Sequence, residues 1–235
     1  MGGGASMYIK ETTEIWDYSQ SDKGPENWHQ LCPEFSVAAE DKWQSPIGLS
    51  KEIITKKAPN ELIFHYHEDE FTLRHDNYTL QLDSVTNQSY LIYKGEHYFL
   101  KNLHFHIPSE HVLNNRPSDL EFHFVHRNER DELLVLAILF DVTDEKEAIL
   151  ARVLYEQDRL FVKFDFTPFT ESQPTYYHYQ GSLTTPPTIG QVTWLVIDDR
   201  RVISTRGFSL LKSTITSASN NRPLQPINNR EIYHT

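Results

Sequence analysis

One cysteine, Cys32, among 235 residues leaves no partner for an internal disulfide, so the fold must be held by packing and hydrogen bonds. Long apolar runs are also missing. No stretch approaches the roughly 18–20 consecutive apolar residues that a membrane-spanning helix requires, so membrane insertion is not expected. Positive charge is scarce: 22 Lys and Arg face 33 Asp and Glu, a formal net charge of −11 that repels nucleic-acid phosphate and anionic lipid. No repeat or low-complexity linker divides the chain. Residues 1–6, "MGGGAS", lack an apolar stretch and read as a leader added in cloning, so the reading expects one domain over 7–235.

What the chain does have is alternation. The segments Phe71 to Asp83, Tyr90 to Tyr93, Tyr98 to Ile107, Leu120 to His126, Leu133 to Val142 and Gln191 to Ile197 read as strands, by period-two patterning or by short apolar runs. Lys94 and Gly95 mark a hairpin turn. One helix is expected at about 145–157, opened by Asp144 and Glu147 as a capping box, with Ile149, Leu150, Val153 and Leu154 on its buried stripe. The fold class is mainly β (α+β): a large twisted, mostly antiparallel central sheet with short peripheral helices.

Two of these strands carry chemistry. In "LHFHIPSEH", His104 and His106 lie two apart and share one face with Asn102; in "LEFHFVH", Glu121, His123 and Val125 share a face while Phe122 and Phe124 take the other. If the strands are neighbours, three imidazoles converge, the donor set of a catalytic zinc site whose fourth position stays open. A His-x-His on a strand is also met as two core histidines, and with Glu110 it matches the His-x-His-x-x-x-Glu of cupins, though the glycine and later motifs of that fold are missing. Farther on, "GSLTTPP" brackets Thr184 and Thr185 between glycine and two prolines, a rigid setting for two hydroxyls; alone, it would read as a surface turn.

Together these motifs resemble the α-class carbonic anhydrases over nearly the whole chain: Trp16 and Tyr18, "GPENWHQLCP", "QSPI", the two histidine segments with "PSEH", then "GSLTTPP", "VTW" and "NNRPLQPINNR" in the family's order. The resemblance implies zinc held by His104, His106 and His123, and reversible hydration of carbon dioxide to bicarbonate and a proton by attack of zinc hydroxide. Thr184 would take the hydroxide proton in a hydrogen bond and pass its own to Glu110. Thr185 would line the bicarbonate site, and Val125, Val135, Leu183, Val192 and Trp194 the apolar wall for carbon dioxide. Asn102, Glu121 and the backbone carbonyl of Asn220 would orient His104, His123 and His106. Sensitivity to sulfonamides follows from the same resemblance, and loss of the zinc histidines would instead mark a relative kept as a binding module.

The chain departs from that family at three places. Asn102 stands where glutamine is common. Tyr78 stands where fast members carry a shuttle histidine, and a phenol near pKa 10 cannot take a proton at neutral pH, so turnover is expected to be limited by proton transfer. His65, His67 and His75 lie in the same region and read as solvated. The disulfide common among bacterial and secreted members is missing, with Ala38, Ala39 and Thr188 in its two regions. The "PSEH" wording leans toward periplasmic or secreted relatives and the missing disulfide toward the cytoplasm, so the compartment stays open. The oligomeric state, a homodimer included, stays open too.

Overall fold

The structure, a computed structural model, describes residues 15–75, 78–144, 161–165 and 173–235; the expected 145–157 helix and the 1–6 leader lie outside them. Fifteen strands are described: β1 (Gly48–Leu49), β2 (Lys56–Lys57), β3 (Leu62–His65), β4 (Glu68–His75), β5 (Leu80–Ser84), β6 (Tyr90–Tyr93), β7 (Glu96–His106), β8 (Val112–Leu113), β9 (Leu120–Arg127), β10 (Leu133–Thr143), β11 (Phe161–Asp165), β12 (Tyr176–Ser182), β13 (Gly190–Ile197), β14 (Arg201–Ser204) and β15 (Tyr233–His234). All but β1 and β8 join one sheet, with the order β11-β4-β5-β7-β9-β10-β13-β12-β15-β2. Most pairings are antiparallel; the central β10–β13 contact is parallel, so the sheet is mixed at its middle.

Phe71 to Asp83, read as one strand, is two: β4 and β5 pair antiparallel with Leu73 opposite Leu82. The parity of the apolar positions slips here, from Phe71 and Leu73 to Leu80 and Leu82, and one continuous strand cannot bury both sets on one face. The β6–β7 hairpin forms as expected, with Lys94 at φ 53° and Gly95 at φ 78°, the two positive values that suit a two-residue turn in a right-twisted ribbon. Three short helices are described, α1 (Trp28–Leu31), α2 (Val37–Glu40) and α3 (Thr205–Ser213). Ser204 caps α3 by accepting from the Gly207 N–H at 3.1 Å.

Alternation sorts the central strands onto two faces. Leu103, Phe105, Phe122, Phe124, Leu134, Leu136, Ile138 and Phe140 point to one side and form the larger core. Each such side chain taken fully from water contributes on the order of 1.5–3 kcal/mol. Val125, Val135, Ala137, Val192 and Trp194 point to the other side and build a smaller apolar cluster. The functional histidines share this second face, because His104 pairs with His123 and His123 with Ala137 across the ladders.

The larger core also holds polar groups. His126 lies fully buried, its Nε2 2.6 Å from the Tyr66 hydroxyl and its Nδ1 without a partner. Burial pushes its pKa down to about 3; burial, aided by Lys94, takes His178 down to about 4. An unfolded histidine titrates near 6.5, so the unfolded chain binds more protons below that value. Stability from these two sites is therefore complete above about pH 6.5 and is lost as pH falls toward about 3. The urea midpoint should drop between about pH 7 and about pH 4, more gently in His126→Gln; a midpoint that does not move with pH would contradict the assignment.

Candidate active site

The three imidazoles meet because β7 and β9 are antiparallel neighbours in the register that sets His104 opposite His123, with His106 one pleat further along. Their rings lie 4.6–5.3 Å apart between centroids, and one nitrogen from each falls within 4.8 Å of the others. The remaining nitrogens are committed. His104 Nδ1–H donates to Asn102 Oδ1 at 3.1 Å, His106 Nδ1–H to the Asn220 carbonyl at 2.7 Å, and His123 Nε2–H to Glu121 Oε1 at 2.7 Å. These bonds fix the tautomers and leave His104 Nε2, His106 Nε2 and His123 Nδ1 with free lone pairs. Burial, reinforced by the neighbouring imidazoles, holds His104 well below the usual histidine range, and burial lowers His106 as well. Both are thus neutral, as metal ligands must be.

Glu121 is the anchor of the cluster. Its Oε1 accepts from His123 and from His111 Nδ1–H at 2.7 Å, and its Oε2 from the backbone N–H of Glu110 at 2.8 Å and of His111 at 2.7 Å. Burial would raise this carboxyl, but the interactions with His111 and His123, their N–H donors among them, outweigh it and hold the group well below the usual carboxylate range. His111, Glu121 and His123 are close enough to suggest a second cation cage, yet their facing atoms already bond to one another. The chain continues from His111 Nε2 to the Tyr179 hydroxyl at 2.6 Å and on to Ser45 Oγ at 3.0 Å.

Glu110 is aimed by a different contact. The Arg222 N–H donates to its Oε1 at 2.8 Å, while the Arg222 guanidinium, buried over the Trp28 ring, donates to Gln44 Oε1 and the Ser45 carbonyl. The other oxygen, Glu110 Oε2, is buried without a hydrogen bond and lies 3.5 Å from His106 Nε2, which is equally unpartnered, and 3.9 Å from His123 Nδ1. Lone pairs facing each other at that distance in a dry place repel unless a cation or a proton donor stands among them. The residues present therefore fit a metal ion.

The remaining site residues fall around this point. Thr184 is buried, but among the described residues its hydroxyl makes no hydrogen bond to Glu110. Its loop is pinned by Thr188 N–H to the Thr185 carbonyl, Leu183 N–H to Ile189, and Gln44 Nε2–H to the Thr188 carbonyl. Val125, Val135, Val192 and Trp194 are buried together, Leu183 packs against them, and the Trp194 ring lies 4.9 Å from that of His123. Gly181 permits this packing: a Cβ there would lie 2.2 Å from Ser45 Oγ and against Tyr179 and Trp194.

Tyr78 is tied up elsewhere, its hydroxyl donating to the Trp16 carbonyl and its ring stacked on Trp16 at 4.7 Å. His67 and His75 are exposed, and His65 stacks on Tyr90. The roles of His111, Tyr179, Ser45 and Arg222 escape the sequence reading. His111 and Arg222 lie within motifs it does single out, but their partners come from distant strands.

A mixed β sheet with three convergent imidazoles on one face, backed by a buried carboxylate, is the donor arrangement of a metal-dependent enzyme. The eukaryotic-type carbonic anhydrase family model matches residues 23–235. A carbonic anhydrase of Neisseria gonorrhoeae is 32% identical over 222 residues, covering 92% of this chain and 86% of the relative. The α-carbonic anhydrase of Thermovibrio ammonificans, solved with the inhibitor sulfanilamide, superposes with a TM-score of 0.84 at 30% identity over 93% of this chain and 98% of its own. Dioscorin complexed with ascorbate superposes with a TM-score of 0.86 at 28% identity, over 93% and 97%. The chain belongs to the α-carbonic anhydrase family, metal-dependent lyases that hydrate carbon dioxide.

Replacing Glu121 with Gln puts an amide N–H against donors that need an acceptor. Glu121→Gln should weaken metal affinity by roughly 10–100-fold in chelator competition; unchanged affinity would show that His123 is oriented by other means.

Proposed function

We propose that the protein is a zinc carbonic anhydrase in which His104 Nε2, His106 Nε2 and His123 Nδ1 hold the ion, and in which proton export limits turnover. The observation that carries the first part is the commitment of the opposite ring nitrogens to Asn102, Asn220 and Glu121, which leaves three ring nitrogens within reach of one point. When bound, zinc acts as a Lewis acid that makes water acidic enough to furnish hydroxide near neutral pH, as is known for carbonic anhydrases.

The chain's own residues do the rest. Glu110, with one oxygen held by the Arg222 N–H, keeps the other to accept from the Thr184 hydroxyl, and Thr184 is then left only an acceptor lone pair for the nucleophile's proton. Val125, Val135, Leu183, Val192 and Trp194 keep water from one side of the centre, where small apolar carbon dioxide needs burial more than hydrogen bonds. Thr185 holds the bicarbonate product. Asn102 orients His104 directly, so the shorter amide does the work of the family's usual glutamine.

His104→Ala should lose both stoichiometric zinc and carbon dioxide hydration, with the fold retained by circular dichroism, and a sulfonamide should inhibit the parent protein but not bind the variant. Zinc and hydration that survive the substitution would end this reading.

Tyr78 cannot export the proton: its hydroxyl is already donating to a backbone carbonyl, and a phenol near pKa 10 does not accept at neutral pH. Imidazole buffer should therefore raise turnover with kcat affected more than kcat/KM, and Tyr78→His should do the same without added buffer. If neither changes kcat, another residue carries the proton out.

A further inference from the structure

We propose that a cavity of about 440 Å3 near the β12–β13 end of the sheet is a binding site for a neutral saccharide. It shares no side chain with the imidazole cluster. Its lining is Asp41, Trp43, Gln180, Gly181, Gly190 and Gln191. Trp43 is 48% exposed, whereas Trp28 and Trp194 are buried and Trp16 is half-buried, so this is the one tryptophan whose ring is offered to solvent. A large apolar ring left in water at the wall of a pocket is a stacking platform, and the C–H face of a sugar ring is its natural complement.

The polar groups around it suit hydroxyls. Asp41 Oδ1 accepts from the Trp43 backbone N–H at 2.8 Å, which holds the carboxylate in the same wall as Trp43. Gly190 makes room for that carboxylate, since a Cβ there would lie 2.6 Å from Asp41 Oδ2. Gln180 uses its N–H on Thr193 Oγ1 at 3.0 Å and keeps its carbonyl oxygen. The Gln191 amide has no hydrogen bond among the described residues, and its backbone is held at φ 67°, a left-handed value uncommon for a residue with a side chain. An apolar platform with one carboxylate and two amides offers both donors and acceptors, the pairing that vicinal hydroxyls require. The carboxylate in the wall and the net charge of −11 favour neutral sugars over acidic ones.

The test titrates the protein with maltose, cellobiose and N,N′-diacetylchitobiose, and with galacturonic acid as the charged counterpart. At least one neutral disaccharide should bind saturably by calorimetry and shield Trp43 from acrylamide quenching, while galacturonic acid should not. Trp43→Ala and Gly190→Ala, which displaces the Asp41 carboxylate, should each weaken binding about tenfold or more, and Trp43→Tyr should restore part of it. Carbon dioxide hydration by the Trp43→Ala variant should equal that of the parent, which separates this proposal from the zinc assignment. The proposal falls if no neutral disaccharide binds, if binding survives Trp43→Ala, or if galacturonic acid binds as well as the neutral sugars.

Discussion

Four hydrogen bonds into one buried carboxylate hold the functional half of the molecule in place. Glu121 takes the imidazole N–H of His123 on one strand, the imidazole N–H of His111, and the backbone N–H groups of Glu110 and His111 from the segment that follows β7. A buried carboxylate without partners would be prohibitively costly; with four donors it becomes a rigid junction. It fixes the ring of His123 and the backbone that presents Glu110 at the same time, so the ligand cluster and the group facing it cannot move independently.

The sheet supplies the second constraint. Because side chains alternate, one register decides at once that the phenylalanines and leucines face the larger core and that His104, His106, His123, Val125 and Trp194 face the other way. Slipping β9 by one residue would turn His123 into the larger hydrocarbon core and Phe122 and Phe124 onto the face of His104 and His106. The apolar packing that stabilises the fold therefore also brings the three imidazoles onto one face, where the bonds to Asn102, the Asn220 carbonyl and Glu121 set their rings.

Much of this was legible in the chain. The spacing of His104 and His106, and the acidic neighbour two positions before His123, follow from strand periodicity, and the observed orienting contacts from Asn102, Glu121 and the Asn220 carbonyl agree with what the family resemblance implied. The β6–β7 turn was readable from Lys94 and Gly95 because two-residue hairpins demand those backbone angles. The division of Phe71 to Asp83 into two strands was carried by a slip in apolar parity, a weaker signal than the surrounding alternation. The network through His111, Tyr179 and Ser45, and the aiming of Glu110 by Arg222, depended on pairings 134 and 112 residues apart in sequence, which no local pattern encodes. Helix α3, only nine residues long and with Gly207 inside it, went unread.

The contact between His106 and the Asn220 carbonyl, 114 residues later, and that between Glu110 and the Arg222 N–H carry a consequence for biosynthesis. A ribosome delivers all three imidazoles while the irregular segment that orients one of them and aims the facing carboxylate is still unmade. The orientation of His106 and of Glu110 is therefore complete only once the chain through residue 222 has been made.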